Sequence, residues 1–389
     1  MPENRPVKEP LRCALVGCGK VALKHLRAIR YHKNELQLAG LVDTRPAAAE
    51  TLLRQGGVKE AEAVRIPFHK DLQTLLSAEK VDLVAITTPS GSHYALAKMA
   101  LLAGKHVLVE KPLTLSLPQA DELLDIACAG GLQIAVGHIY RYFPLVQALE
   151  ADLRAGLFGR VLYGDVKVRW GHDQAYYDAA PWRGTWAEDG GVLMNQSIHA
   201  LDLMTWLLGG SVREASGMIE RQTHRMEAED LGLALLRLSN GTFCQLEGTT
   251  STDPRQPEAS FAVFCSDGTI QAGLRGGRPY VHAKDGRGRP LTGHYVRRFL
   301  GQIWRQGGIK ALLQLPNPHS ALYGDLIQAI RQQRPPLADG DSGRQAVAAV
   351  LTIYAAAFRQ KTVTLPPESF TLADMAGYFA PFGDPPVNH

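Results

Sequence analysis

Signals for disulfide pairing and for membrane insertion are both missing from this 389-residue chain. Its five cysteines (Cys13, Cys18, Cys128, Cys244, Cys265) form an odd set with no paired metal-type spacing. That argues against a disulfide framework or a cysteine metal site and fits a reducing compartment. No uninterrupted apolar run reaches the roughly 18–20 residues that a membrane helix requires. The opening Met1-Pro2-Glu3-Asn4-Arg5-Pro6 is polar and proline-rich where a signal peptide needs an apolar core. A net charge of +4 is too small to argue for a nucleic-acid partner. Internal repeats and low-complexity tracts are also missing. A cytoplasmic protein without a membrane, nucleic-acid or metal partner is the expectation.

What is present is the composition of a soluble enzyme: 45% apolar and 21% charged residues. The length suits two domains at about 150 residues each. In the first half, apolar runs at Leu11–Cys18 (entering the glycine turn), Leu36–Asp43, Val81–Pro89, His106–Pro112 and Leu132–His138 alternate with amphipathic helical segments. Five near-continuous apolar strands separated by helices predict a doubly wound parallel sheet buried on both faces. After Val161 the pattern switches to strict alternation, with Asn240-Gly241 and Asp267-Gly268 as two-residue hairpin signals. One helix, Ser197 to Leu208, interrupts this region, and late helices (Leu322 to Gln332, Arg344 to Arg359) should return to the first domain. The predicted fold is an α/β Rossmann domain over residues 1–138. An α+β domain with a large, mainly antiparallel sheet follows over residues 139–389.

The segment Gly17-Cys18-Gly19-Lys20-Val21-Ala22 follows a predicted strand and opens a predicted helix. Gly17 permits a tight turn, Gly19 lets backbone approach a pyrophosphate, and Ala22 permits close helix–strand packing. The helix N-terminus then offers free N–H groups and a positive dipole end to the phosphates. Asp43, 24 residues after Gly19, closes the second strand where a ribose-binding acid belongs. Its carboxylate should accept from the adenosine ribose and repel a 2′-phosphate, which predicts NAD rather than NADP. Thr44 and Arg45 continue this site, and Arg45 could soften the preference by pairing with a phosphate.

Two further clusters carry chemistry. Glu110-Lys111-Pro112 lies at the carboxyl end of the fourth predicted strand, where open parallel sheets bind ligands. Downstream, Gly190-Gly191-Val192-Leu193-Met194-Asn195-Gln196-Ser197-Ile198-His199 precedes Asp202. Asn195, His199 and Asp202 are spaced to share one helical face, and His199 suits a general base for an alcohol proton. A third feature is a basic stretch from Arg275 to Lys310 with nine Lys/Arg against Asp285 alone. It reads as a glycine-rich loop with one short helix near Tyr295 to Gln306. It could grip a diphosphate, touch an anionic surface or simply be solvated.

Together these residues resemble the glucose–fructose oxidoreductase / inositol dehydrogenase (Gfo/Idh/MocA) family over nearly the whole chain. The resemblance rests on the glycine turn, Thr88-Pro89 with His93, Glu110-Lys111-Pro112, Gly137 to Pro144 (GHIYRYFP), the Asn195/His199 helix and Asp339-Gly340. It implies that Lys111 and His199 flank the carbon that exchanges hydride, and it implies cofactor contacts at Thr88, Pro89, His93, Glu110, Lys111, Arg141, Trp182 and Arg183. Many members have an aspartate where this chain has Asn195, so His199 is expected to be oriented by an amide. The Trp182-Arg183-Gly184-Thr185-Trp186 loop and Asn195-Gln196 resemble the branch that oxidises UDP-linked N-acetylamino sugars at C3′ for later transamination, on the way to lipid A or O-antigen sugars. UDP-N-acetylglucosamine is favoured, with UDP-N-acetylglucosaminuronate and a free sugar or inositol as alternatives. Substrate contacts then fall on Lys111, Tyr140, Arg183, Asn195, Gln196 and His199. A homodimer or homotetramer working alongside a sugar aminotransferase is the implied assembly.

Overall fold

The structure is a computed structural model describing residues 9–305, 308, 317–365, 369–380 and 383. Residues 1–6 of the polar opening, and Gln306 and Lys310 of the basic stretch, lie outside the described residues. Strands β1 (Leu11–Val16), β2 (Leu36–Val42), β3 (Phe68–His69), β4 (Leu83–Ile86), β5 (His106–Val109) and β6 (Ile134–Val136) form a parallel sheet in the order β3-β2-β1-β4-β5-β6. Their continuous apolar character has a direct cause. Cys13, Leu15, Leu83, Ala85 and Leu108 enter the core on one face, while Ala14, Val16, Val84, Ile86, Val107 and Val109 enter a second core on the other. Helices α1 (Ala22–Tyr31), α2 (Pro46–Gln55), α3 (Glu60–Ala63), α4 (Leu72–Ala78), α5 (His93–Leu102) and α6 (Leu117–Gly130) connect them. The sixth strand, β3, was not predicted, because two residues are too few to display a period.

The second half opens with α7 (Pro144–Arg154), β7 (Val161–Arg169), α8 (Gln174–Asp178) and α9 (Ile198–Leu208). It continues with β8 (Val212–Glu220), β9 (Leu231–Leu238), β10 (Phe243–Thr249), β11 (Glu258–Cys265), β12 (Gly268–Arg275) and β13 (Arg278–Asp285). Eight strands order as β13-β12-β11-β7-β10-β9-β8-β14, the last being Val363–Thr364. All neighbours are antiparallel except β7 and β10, which run parallel. Both predicted hairpins form, β9–β10 over Asn240-Gly241 and β11–β12 over Asp267-Gly268. Gly241 takes φ +84°, which its hairpin turn requires.

Part of the basic stretch is corrected by the structure. Arg278–Asp285 is an edge strand rather than a loop, followed by α10 (Thr292–Arg305). Three of its arginines are paired: Arg275 with Glu258, Arg289 with Asp285 and Arg298 with Asp152. Charged side chains on an edge strand discourage edge-to-edge pairing.

The late helices are α11 (His319–Gln332) and α12 (Gly340–Arg359). Helix α11 packs on α1 of the first half. By contrast α12, capped by Asp339 through the Ser342 amide at 2.9 Å, is wedged between the halves. It touches β6 and α6 on one side and β8 and α9 on the other, which is why it is buried nearly all round. No described helix is long and apolar enough to cross a membrane.

Candidate active site

The glycine turn leaves β1 at the carboxyl edge of the parallel sheet. Gly17 takes φ +88°, and a Cβ there would lie 2.8 Å from Thr88 Cγ2 and 2.9 Å from the Thr87 carbonyl group. Position 17 therefore needs glycine twice over, for its dihedral and for its neighbour. The Gly17 amide donates to the Val42 carbonyl at 2.8 Å. The Cys18 amide donates to Asp43 Oδ2 at 2.8 Å, while Asp43 Oδ1 accepts from the Arg45 amide at 2.9 Å. Asp43 is thus fixed against the turn by its neighbours. Burial, with Asp43 nearby, pushes the Cys18 thiol up to about 12, so it stays protonated. No side chain caps the first turn of α1, which leaves backbone donors for an anionic ligand. The turn, the uncapped helix and the aimed carboxylate fit a dinucleotide.

Arg45 is three-quarters exposed, 3.6 Å from Asp43. Wild type should bind NAD at least about 10-fold tighter than NADP, because Asp43 opposes a 2′-phosphate. In Asp43→Ser this ratio should shrink toward unity in a fluorescence titration. Tighter NADP binding by the wild type would overturn the role given to Asp43.

His93 joins two of the expected cofactor loops. Its buried ring spans the carbonyl oxygens of Pro112 (2.7 Å) and Thr88 (3.0 Å). Glu110 lies deeper. Its Oε1 accepts from His25 Nε2 at 2.8 Å and His319 Nε2 at 3.1 Å. Burial raises this carboxyl, but the two histidine bonds outweigh it and hold Glu110 well below the usual carboxylate range. His25, Glu110 and His319 are the right donor types for a cation. Their contacts point elsewhere. His319 Nδ1 faces Asn317 Oδ1 at 3.1 Å, and Asn317 Nδ2 donates to the Lys24 carbonyl. Both His319 nitrogens therefore face acceptors, and the trio works as a hydrogen-bonded strut joining α1, β5 and α11.

Lys111, next in the chain, turns toward the second half. Its Nζ donates to the Asn195 carbonyl and, at 3.2 Å, to Asn195 Oδ1. Residues Leu193–Ser197 form a π-helical turn that precedes α9. Such a turn departs from the α-helical ladder, and the Asn195 carbonyl here serves the lysine. Burial lowers the Lys111 ammonium from its ordinary range, opposed by Asp189 and then Glu110.

One turn along, His199 sits with its ring 5.1 Å from that of Tyr140 and 6.0 Å from that of His138. Burial first, then the Lys111 charge, holds its imidazole well below the usual range, so it is neutral at neutral pH. The expectation that Asn195 orients His199 is not met. The Asn195 amide joins Lys111 to Asp189, and His199 Nδ1 has no hydrogen-bond partner among the described residues. Asp202 is likewise turned away, accepting a two-pronged bond from Arg141 at 2.8 and 2.6 Å. Arg141 also donates to the Leu337 carbonyl at 2.9 Å. Its guanidinium thus ties α9 to the chain ahead of α12, and is not directed at a ligand.

Trp182 and Arg183 form a cationic, aromatic wall. The Arg183 guanidinium lies 4.2 Å over the Tyr176 ring and 5.3 Å over Trp182, and donates to the Tyr176 carbonyl at 2.5 Å. Tyr176 stacks on His172 at 3.8 Å, and His172 meets Gln196 at 3.3 Å. Burial, then the neighbouring His224 and Arg183, lowers His172 to about 4. Asp189, His172 and His138 escaped the sequence reading. Asp189 was findable as the acid immediately before Gly190-Gly191.

A Rossmann half with a dinucleotide cradle, bringing its lysine to a neutral histidine of the second half, defines an NAD-dependent oxidoreductase acting on CH–OH groups. Residues 11–138 match the oxidoreductase family's NAD-binding Rossmann fold, and residues 146–271 match its C-terminal domain. The chain belongs to the Gfo/Idh/MocA family. It is 28% identical to UDP-N-acetylglucosamine 3-dehydrogenase of Acidithiobacillus ferrooxidans over 90% of this chain and 99% of that one. The crystal structure of that organism's enzyme superposes with a TM-score of 0.68 at 26% identity, covering 89% and 97% of the two chains. The WlbA dehydrogenase of Bordetella pertussis, solved in complex with NADH and UDP-GlcNAcA, superposes with a TM-score of 0.80 at 28% identity over 93% and 99%.

Proposed function

We propose that this enzyme oxidises the 3-hydroxyl of a UDP-linked 2-acetamido sugar, UDP-N-acetylglucosamine in the first instance, to the 3-keto sugar. The observation that carries the reading is the approach of Lys111 and His199 from opposite halves: the lysine donates to Asn195, one turn before His199, and its charge acts on the buried imidazole. Residues 1–138 hold NAD: Gly17 to Ala22 take the pyrophosphate, and Asp43, Thr44 and Arg45 take the adenosine ribose. Thr88, Pro89, Lys111, Trp182 and Arg183 border the nicotinamide, with His93 and Glu110 bracing them from below. Residues 139–389 hold the sugar nucleotide through Tyr140, Arg183, Asn195, Gln196 and His199.

Bound NAD would supply the acceptor for the hydride of C3. His199, neutral and desolvated, takes the hydroxyl proton on its imidazole. Lys111 Nζ donates to the same oxygen and stabilises the charge that develops before the carbonyl forms. The product ketone suits a following transamination, as in the building of lipid A or O-antigen sugars, and places the enzyme beside an aminotransferase in the cytoplasm. A homodimer or homotetramer is consistent with the open face of the large sheet, where Met218, Leu235 and Phe243 are exposed.

A second reading, UDP-N-acetylglucosaminuronate, is favoured by Arg183, whose buried Nε has no partner among the described residues. A C6 carboxylate would supply one. The test is NADH absorbance with NAD and UDP-N-acetylglucosamine, UDP-N-acetylglucosaminuronate, glucose or inositol, coupled to a sugar aminotransferase to draw off ketone. NADH should rise with a UDP sugar and not with the free polyols; the reverse pattern would overturn the proposal.

A further inference from the structure

Asp189 is 3% exposed and stands outside the contacts assigned above to cofactor or sugar. Three hydrogen bonds fix it between the Trp182–Trp186 loop and the π-helical turn. Its amide donates to the Thr185 carbonyl at 3.1 Å, and its Oδ2 accepts from the Gly184 amide at 3.1 Å. Its Oδ1 accepts from Asn195 Nδ2. Asn195 in turn presents Oδ1 to Lys111 Nζ. The chain of donors therefore runs one way, from Lys111 through the Asn195 amide to the Asp189 carboxylate.

A carboxylate can only accept, whereas an amide can face either way. We propose that Asp189 is the positioning residue for Lys111: it forces the Asn195 amide to keep its oxygen toward the lysine, and ties that orientation to the loop lining the substrate cleft. This rests on the role given to Lys111 above. Reversal of the amide would put an NH2 group against the lysine ammonium and remove its side-chain acceptor.

Electrostatics support the geometry. Burial raises the Asp189 carboxyl, opposed by the Gly184 amide, the Lys111 charge, Asn195 and Arg183. Lys111, lowered by burial, is drawn back up by Asp189 and Glu110. The other titratable groups that feel Lys111 are His93, His138 and His199, none of them acidic.

The discriminating experiment is a swap. In Asp189→Asn the new amide must give its oxygen to the Gly184 amide, so two NH2 groups meet and Asn195 turns over. Turnover should fall about 10- to 100-fold with KM nearly unchanged, as expected for a misplaced group that acts at the reacting oxygen. The alkaline limb of the kcat profile should move to lower pH, because an opposing carboxylate has gone. In the double variant D189N/N195D, the amide introduced at position 189 donates to the carboxylate introduced at position 195, and that carboxylate meets Lys111 directly. Turnover should recover to within about 5-fold of wild type, with the alkaline limb moved up instead.

A second readout needs no substrate: the Nζ titration of Lys111 in 15N-lysine-labelled, NAD-bound protein, assigned with Lys111→Arg. It should move down in Asp189→Asn and up in the swap. If the wild type oxidises no UDP sugar, the function proposed above falls, yet this titration still judges Asp189. An unchanged Lys111 titration in both variants, or a swap no more active than Asp189→Asn, would overturn the assignment.

Discussion

Lys111→Ala and His199→Asn are each expected to lower kcat by about 100-fold or more while NAD still binds. Neither side chain contributes to the glycine turn or to Asp43, so NAD should still bind, with Lys111→Ala giving up only its contact beside the nicotinamide. Each removal takes away an interaction that grows during reaction: the alkoxide's donor in one case, the proton's acceptor in the other. The pH profile tests the same assignment with a defined sign. His199 is held below the usual imidazole range by burial and by Lys111, so the base remains available as pH falls through 6.5. Acid loss of kcat should appear only below that range. Lys111 is lowered by burial, so alkaline loss should begin below the ordinary lysine value of 10.5. Near-normal turnover in both variants, or an acid limb at 6.5 or above, would refute these roles.

His319→Ala should destabilise the folded protein by about 1–3 kcal/mol, the cost of leaving a buried carboxylate short of a hydrogen-bond donor. Glu110 is buried between His25 and His319, and removal of one donor leaves its charge half-satisfied. Glu110→Gln keeps an acceptor without the charge and should cost less. The sign with pH follows from the depressed carboxyl. Its contribution is fully present above the unfolded-state value of about 4.3 and is lost as pH falls through the folded value. Denaturant unfolding at pH 7 and at pH 4 measures both effects. A loss under 1 kcal/mol in His319→Ala at pH 7 would show that the strut does not join α11 to the first half.

Much of the cofactor half was legible because its signals are local. Glycine spacing, a strand-ending acid and apolar runs all lie within a few residues of what they determine. The site's other members depend on partners far along the chain. Arg141 meets Asp202 across 61 residues, and nothing in either neighbourhood announces the pairing. Asn195 was placed on the face of His199 by assuming 3.6 residues per turn, and the π-helical turn at Leu193–Ser197 broke that assumption. With the amide redirected to Lys111, its absent charge is supplied from Asp189, six residues earlier. β13 was hidden for a different reason. As an edge strand with Ala283 as its one buried residue, it has little apolar alternation to display. The parallel pairing of β7 with β10 is set by tertiary packing and has no sequence period of its own.

Hydride transfer from C3 of a UDP-linked sugar is the central claim, and isotope tracing tests it most directly. UDP-N-acetylglucosamine deuterated at C3, incubated with NAD and the aminotransferase coupling partner, should yield NADH carrying one deuterium at the nicotinamide C4. NADH that forms without deuterium, or no NADH from this sugar or its uronate while a free polyol is oxidised, would contradict it.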